Sequence, residues 1–462
     1  MHSTVMVNSY CQTKKYLNSF INYERKAFFS YKKDLNLKRV YLLLEYLDVP
    51  YARLKTIHIA GTKGKGSTAS FCAFMLAASG YKVGIYTSPH LFDFRERIQL
   101  VHSSRLGQGF SGQAQSIVDS KLISKKDVTK IVKKFKRYLE NSKRPKALED
   151  LSFFEVHTAI AFRYFLDRKV DFAVLETGLG GRLDATNVVN PLVSVLTHIG
   201  YDHTDKLGKS LRQITFEKAG IIKKGVPVIC SAQNRVSLKE ITFKCKLKKA
   251  PLFVYGRNFL AKDIRLGKES TCFDFEFSNL KLRNLKIRLK GKYQVENSSL
   301  ALAVCELLRS KGMVKNKIGF KKGLKSTNLE GRFEVLSRKP LIVVDIAHNV
   351  SSFAALSDNL RIYLPSKKVI LIFACSKDKD AKNMLRKINY SYLILTRFNN
   401  PRSSNPREIK KTCNLRNTFI TFNIKQALNK AISIYDKDSV IGISGSLFIV
   451  SEAKKELQKV PL

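Results

Sequence analysis

Residues 57–68 read IHIAGTKGKGST, an apolar strand that runs into a glycine-rich turn and then into a helix. Gly61, Gly64 and Gly66 let the backbone bend until its N–H groups can point at phosphate oxygens. Lys65 can neutralise phosphate charge, with Thr62 and Lys63 beside it in the loop. Ser67 can offer its hydroxyl to Mg²⁺ at the positive end of the helix. The spacing departs from G-x-x-x-x-G-K-[ST]: the first glycine lies closer, and Gly66 separates the lysine from the serine. An ordinary tight strand-to-helix turn is the competing reading. Three glycines, two lysines and Ser-Thr between a strand and a helix favour the phosphate loop.

The flanks complete one βαβ unit, with strands over 55–60 and 81–87 and a helix over 67–79 closed by Gly80. Upstream, residues 10–50 read as helical, with Leu35, Leu37, Val40, Leu43, Leu44 and Leu47 at helical spacing and Pro50 ending the run. Residues 102–121 are polar and small and read as an exposed loop. Helices are expected over 125–140 and 153–168, strands over 170–175 and 192–197, and β-rich sequence over 226–290. A helix over 293–311 precedes lysine-rich sequence, and the domain break falls near 325–330. That gives domains 1–327 and 328–462. The second has apolar strands over 341–344, 369–373, 392–395 and near 440–443. The alternation predicts an α/β class.

The chain has 462 residues, 44% of them apolar, enough for two or three packed domains. No apolar run is long enough to cross a bilayer, and the first residues hold no signal-peptide core, so a cytoplasmic protein is expected. The eight cysteines form no C-x-x-C pair and read as reduced thiols. Lys and Arg total 83 against 37 acidic residues, a formal charge of +46. Such a chain attracts polyanions. The lysines are spread along the whole sequence, however, so a general lysine bias is preferred, then steering of anionic substrates, and nucleic-acid binding last.

The segment GTKGKGS (61–67) resembles the nucleotide loop of the Mur-ligase superfamily. Its continuation GYKVGIYTSPHLFDFRERI (80–98) resembles the folylpolyglutamate synthase/dihydrofolate synthase branch, closest to the bifunctional bacterial type. The similarity runs in blocks from Leu35 to Ser451. It implies a Mur-ligase-like P-loop ATPase domain followed by a smaller Rossmann-like α/β domain.

Site residues follow from both sources. Glu176 ends a strand and opens ETGLGGRLDATN (176–187), placing a carboxylate where ligands of a doubly wound sheet gather, near Ser67 and Mg²⁺. The resemblance implies that His203 ligates a second Mg²⁺, although a lone histidine is more often structural and His198 and Tyr201 depart from the residues expected there. It also implies that Lys218, in EKAGI, carries a carbamate; an apolar setting favours the free amine that CO₂ requires. Ser88 and His90 of TSPHL, with Ser152, Phe154 and Asp184, are the implied substrate contacts, Phe154 stacking on a pterin ring. Phe154 could equally be part of a helix's core face. Gln294, Asn297, Arg332, Asp345 and His348 are implied nucleotide contacts, with Ile346 and Val350 standing where the family has glycine and proline. Segments 376–380, 399–402 and 444–452 are weaker echoes.

The implied reaction begins with ATP phosphorylating a substrate carboxylate, with Lys65 and metals stabilising the transferring phosphoryl group. The amine of L-glutamate then attacks the acyl phosphate, and closure of the domains excludes water. Expected partners are ATP, L-glutamate and a pteroate or folate, with no membrane, no specific nucleic acid and a monomeric state. The rivals are a ligase of peptidoglycan precursors and a basic nucleic-acid-associated protein on the same fold.

Overall fold

The computed structural model describes residues 7–24, 29–105, 116–413, 415 and 417–459. The chain divides into two compact units. The first takes residues up to Ile264 with Cys272–Ile287 and Tyr293–Thr327; the second takes Arg265–Thr271, Arg288–Lys292 and Asn328–Leu462.

The first unit is built on strands β1 Thr56–Ala60, β2 Val83–Tyr86, β3 Ile98–Arg105, β4 Ser116–Leu122, β5 Phe172–Glu176, β6 Val193–Leu196, β7 Val228–Cys230 and β8 Leu252–Val254. They form one sheet in the order β4-β3-β2-β5-β1-β6-β7-β8. β1 lies parallel between β5 and β6, with Ile59 opposite Glu176. Every residue of β1, β2, β5 and β6 is buried. That is the condition of a parallel sheet covered on both faces, and it explains why these strands read as unbroken apolar runs. The helix Lys65–Ala78 is buried from Ser67 to Ala77. The helix Ile318–Ser326 crosses it so closely that a Cβ on Gly323 would lie 2.4 Å from Met75 Cα.

Strands β9 Phe259–Leu266, β10 Thr271–Phe277 and β11 Leu280–Ile287 form a three-stranded sheet. The second unit holds β12 Glu334–Arg338, β13 Leu341–Val344, β14 Lys368–Phe373, β15 Tyr392–Leu395, β16 Thr418–Ile420 and β17 Ser439–Ser444. Their order is β12-β13-β17-β14-β15-β16, all parallel except the β12–β13 pair.

Three expectations are corrected. Among the described residues the helical stretch over 10–50 is three helices, Tyr10–Asn18, Tyr31–Asp34 and Leu37–Tyr46, the last restarted by Asn36, whose side chain accepts the Lys38 N–H. The flanks of the expected loop 102–121 are strands paired from Gln99 with Leu122 to Arg105 with Ser116; residues 106–115 lie outside the described residues. Within the β-rich stretch stands a helix, Arg235–Leu247, capped by Asn234 and burying Ser237, Ile241 and Cys245. Among the described residues no helix is long and apolar enough to cross a membrane.

Two buried histidines carry a stability prediction. His157 packs between Phe153 and Phe94, with neither ring nitrogen hydrogen-bonded among the described residues. Burial first, then the charges of Arg97 and His90, hold it neutral, well below the usual histidine range. Burial and then Lys223 push His58 down to about 3. Unfolded, each titrates near ~6.5, so the unfolded chain binds more protons below that pH. The contribution of these two histidines should therefore be level above about pH 6.5 and fall as the pH drops toward 3. His157→Leu removes two unpaired buried nitrogens and should raise stability by about 1 kcal/mol at pH 7, and by more at pH 5. Urea unfolding at both pH values checks this; a less stable variant at both would contradict it.

Candidate active site

The loop after β1 is fixed by its neighbours. A Cβ on Gly61 would lie 1.8 Å from Thr197 Oγ1, so no side chain fits there. The Thr62 and Lys63 N–H groups both donate to the His198 carbonyl, at 2.9 and 3.2 Å. Those two amides are thus engaged and do not face a phosphate, a correction to the loop as first read. His198 acts here through its carbonyl, which any residue supplies. Gly64 has φ +86°, and a Cβ on it would lie 2.2 Å from Asn297 Oδ1. Asn297 in turn donates to Gln294 Oε1 at 3.0 Å. The loop and the helix Lys292–Ser310 are therefore brought together as the sequence suggested.

From Gly64 the backbone enters the helix Lys65–Ala78 with no side-chain cap. The first four N–H groups of a helix have no partner within it. Those of Gly64, Lys65, Gly66 and Ser67 make no other hydrogen bond among the described residues. An uncapped, half-buried helix start is the positive end of a dipole with free donors, which suits an anion.

Three charged groups meet at this end. Lys65 Nζ donates to the Gly61 carbonyl at 3.2 Å, and Lys218 Nζ donates to the same oxygen at 2.9 Å. Lys65 Nζ also stands 3.9 Å from Glu176 Oε1. Lys218 is buried, and burial followed by repulsion from Lys65 pushes its pKa down to about 7. Glu176 Oε2 accepts the Ser88 N–H at 3.2 Å and lies 3.4 Å from where a Gly66 Cβ would be. With Lys218 protonated, its ammonium and that of Lys65 share one carbonyl beside the Glu176 carboxylate and leave the locus short of negative charge, which together with burial is why the Lys218 proton is held weakly. A triphosphate or a carbamate on Lys218 would redress it.

The expected substrate contacts divide. Phe154 is half-buried and lies on Gly178, where a Cβ would be 2.7 Å from its ring, beside Tyr86 at 5.7 Å between centroids. Asp184 is buried and fully occupied. Its Oδ2 accepts the Gly178 and Leu179 N–H groups at 2.8 and 2.9 Å, and its Oδ1 accepts the Thr186 N–H at 3.1 Å and hydroxyl at 2.5 Å. It shapes the loop and has no oxygen left to read a ligand. Ser152 caps the helix Phe153–Asp167, its hydroxyl held by Glu155 at 2.7 Å, so it is likewise structural. His90 Nδ1 accepts from Arg97, whose buried guanidinium is paired with Glu24. Arg97 was missed in the sequence, where it is one basic residue among 83.

His203 is exposed, with φ +49°, at the head of the short helix Thr204–Leu207. Among the described residues no three His, Cys, Asp or Glu side chains form a metal-binding group. Mg²⁺ does not need one, since it keeps waters and takes one or two carboxylates with substrate phosphates.

In the second unit Asp345 binds the Phe333 and Ala347 N–H groups at 2.9 and 2.8 Å. His348 Nδ1 lies 3.0 Å from the Ile346 carbonyl. Arg332 sits between Gly331 at φ +69° and Phe333 at φ +44°. A Cβ on Gly331 would meet Ile346 at 2.8 Å, so glycine at 331 makes room for the side chain at 346. Val350 takes the first helical position after the Asn349 cap, where proline is favoured but not required. The weaker echoes converge here: Asp378 pairs with Arg402 at 3.0 Å, and Ser444 Oγ donates to the Asp345 carbonyl at 2.7 Å.

Residues 146–305 match the family model described as Mur ligase middle domain, and residues 331–447 the one described as Mur ligase, glutamate ligase domain. A Bacillus subtilis protein named dihydrofolate synthase/folylpolyglutamate synthase is 30% identical, over 91% of this chain and 95% of that protein. The crystal structure of a Thermotoga maritima folylpolyglutamate synthase is similar at 31% identity and a TM-score of 0.79, over 97% of this chain and 96% of that one. A folylpolyglutamate synthase complex with AMPPCP and folate is similar at 27% identity and a TM-score of 0.80, over 97% and 99%.

Proposed function

The chain belongs to the folylpolyglutamate synthase/dihydrofolate synthase family of Mur ligases, and from that premise we propose that it ligates L-glutamate to dihydropteroate and to reduced folates. One observation carries the reading: the uncapped helix start at Gly64–Ser67, with Lys65, Lys218 and Glu176 gathered on it. The AMPPCP and folate held by the similar synthase support ATP and a folate as ligands.

The ATP phosphates take the free N–H groups of Gly64–Ser67, and Lys65 neutralises their charge. An acceptor carboxylate oxygen attacks the γ-phosphorus, and ADP leaves. The glutamate amine then attacks the acyl carbon, and phosphate departs with one oxygen of the acceptor. Ser67, the residue after Gly66, and Glu176, whose Oε2 would lie 3.4 Å from a Gly66 Cβ, would hold Mg²⁺ through a hydroxyl and a carboxylate. Bound there, Mg²⁺ neutralises the charge that builds during phosphoryl transfer. Lys218 fits a carbamate: a buried amine titrating near neutrality can react with CO₂, and the product keeps one N–H for the Gly61 carbonyl. Phe154, lying on Gly178, presents an aromatic face to a pterin.

The test is ADP release with glutamate and one acceptor at a time. Dihydropteroate and tetrahydrofolate should each support turnover, and neither acceptor nor glutamate alone should. Turnover with a muramyl peptide precursor and with no pteridine would overturn the reading.

A further inference from the structure

A buried chain of hydrogen bonds links the strand that feeds the phosphate loop to the loop that carries the acceptor face. His58 is the central residue of β1, between Leu175 on β5 and Ser194 on β6, and is fully buried. Its Nε2 lies 2.8 Å from Thr186 Oγ1. That hydroxyl has one proton, and donates it to Asp184 Oδ1 at 2.5 Å. Thr186 must therefore accept from His58, which fixes the histidine as the Nε2–H tautomer. Asp184 then holds the Gly178 and Leu179 N–H groups, and Gly178 bears the ring of Phe154.

Each link has one workable orientation. Without the His58 donor, the Thr186 oxygen is left with an unfilled lone pair in a site closed to water, and the threonine that donates to Asp184 is no longer held in place. A partly satisfied buried network loosens as a unit. The group that would move is the backbone under Phe154, whereas the phosphate-facing amides of Gly64–Ser67 belong to a separate helix start.

We infer that His58 is a positioning residue for the acceptor, acting through Thr186 and Asp184 on the Gly178–Leu179 backbone beneath Phe154. The inference rests on the proposed reading of Phe154 as the acceptor face.

The test compares Michaelis constants for dihydropteroate and for ATP across a small set of variants. An asparagine amide sits where histidine Nδ1 lies, and a glutamine amide reaches the Nε2 position. His58→Asn should raise the KM for dihydropteroate about tenfold, the worth of one buried hydrogen bond, with the KM for ATP within about twofold. His58→Gln should restore the parent value. Thr186→Val should match His58→Asn, and the double variant should be no worse than either single one, because both break one chain. If His58→Asn does not fold, Thr186→Val against Thr186→Ser supplies the same contrast. Equal rises in both KM values, no rise in either, or multiplying losses in the double variant would overturn the inference. Phe154→Ala is the control. An unchanged KM for dihydropteroate in that variant sinks the acceptor-face reading and the inference with it. A raised value there with none in His58→Asn sinks this inference alone.

Discussion

Lys65→Ala is expected to lower acceptor- and glutamate-dependent ADP release by about a hundredfold to a thousandfold, the range for removing one charged or hydrogen-bonding group aimed at the transition state. The fold should survive. Among the described residues the Lys65 ammonium meets the Gly61 carbonyl at 3.2 Å and Glu176 at 3.9 Å, and its side chain is half-buried at the mouth of the loop. The loop itself is held by Thr197, His198 and Asn297, which the substitution leaves in place. Circular dichroism should thus be unchanged while turnover collapses. Near-parent turnover would mean that the phosphate site lies elsewhere.

Lys218→Ala is expected to lose activity by a similar factor, but for a different reason, and to regain part of it with a short-chain carboxylate. Formate or acetate can enter the space and supply the anion that the carbamate would have supplied. The premise is specific to this position. Many of the lysines in this chain are solvated, whereas Lys218 is buried, aimed at the Gly61 carbonyl and pushed down to about 7. Its free amine is therefore well populated at neutral pH, where an ordinary lysine has almost none. The native mass should show one added carboxyl group that acid treatment removes. Unmodified Lys218 in a fully active preparation, or no rescue by any carboxylate, would contradict the assignment.

The legibility of the sequence followed the burial of each segment. β1, β2, β5 and β6 are covered on both faces, so their apolar runs announced them, and Gly61 and Gly64 announced a turn that no side chain could occupy. The β3–β4 pair lies at the edge of its sheet, and residues such as His102, Ser103 and Ser104 carry no alternation to read. The helix Arg235–Leu247 was hidden because Val236, Phe243 and Leu247 are exposed beside Lys239 and Lys246, so its apolar residues mark no single buried face. At the site, residue types were legible but orientations were not. Asp184 offered a carboxylate in the sequence, and only the fold shows four donors already on it. Ser152 looked like a free hydroxyl until Glu155 three residues on proved to complete a capping box. Lys218 was chosen from its likeness to a family motif and its apolar neighbours, and only the fold shows that the side chain is buried and donates to the Gly61 carbonyl.

The central claim is that a pteridine-linked carboxylate is activated by phosphorylation and then captured by glutamate. Dihydropteroate carrying heavy oxygen in its carboxyl group tests it most directly, by mass analysis of the phosphate released in turnover with ATP and L-glutamate. An acyl phosphate leaves one acceptor oxygen on phosphorus, so each phosphate should carry one heavy atom. Product forming while the phosphate stays unlabelled would contradict the account.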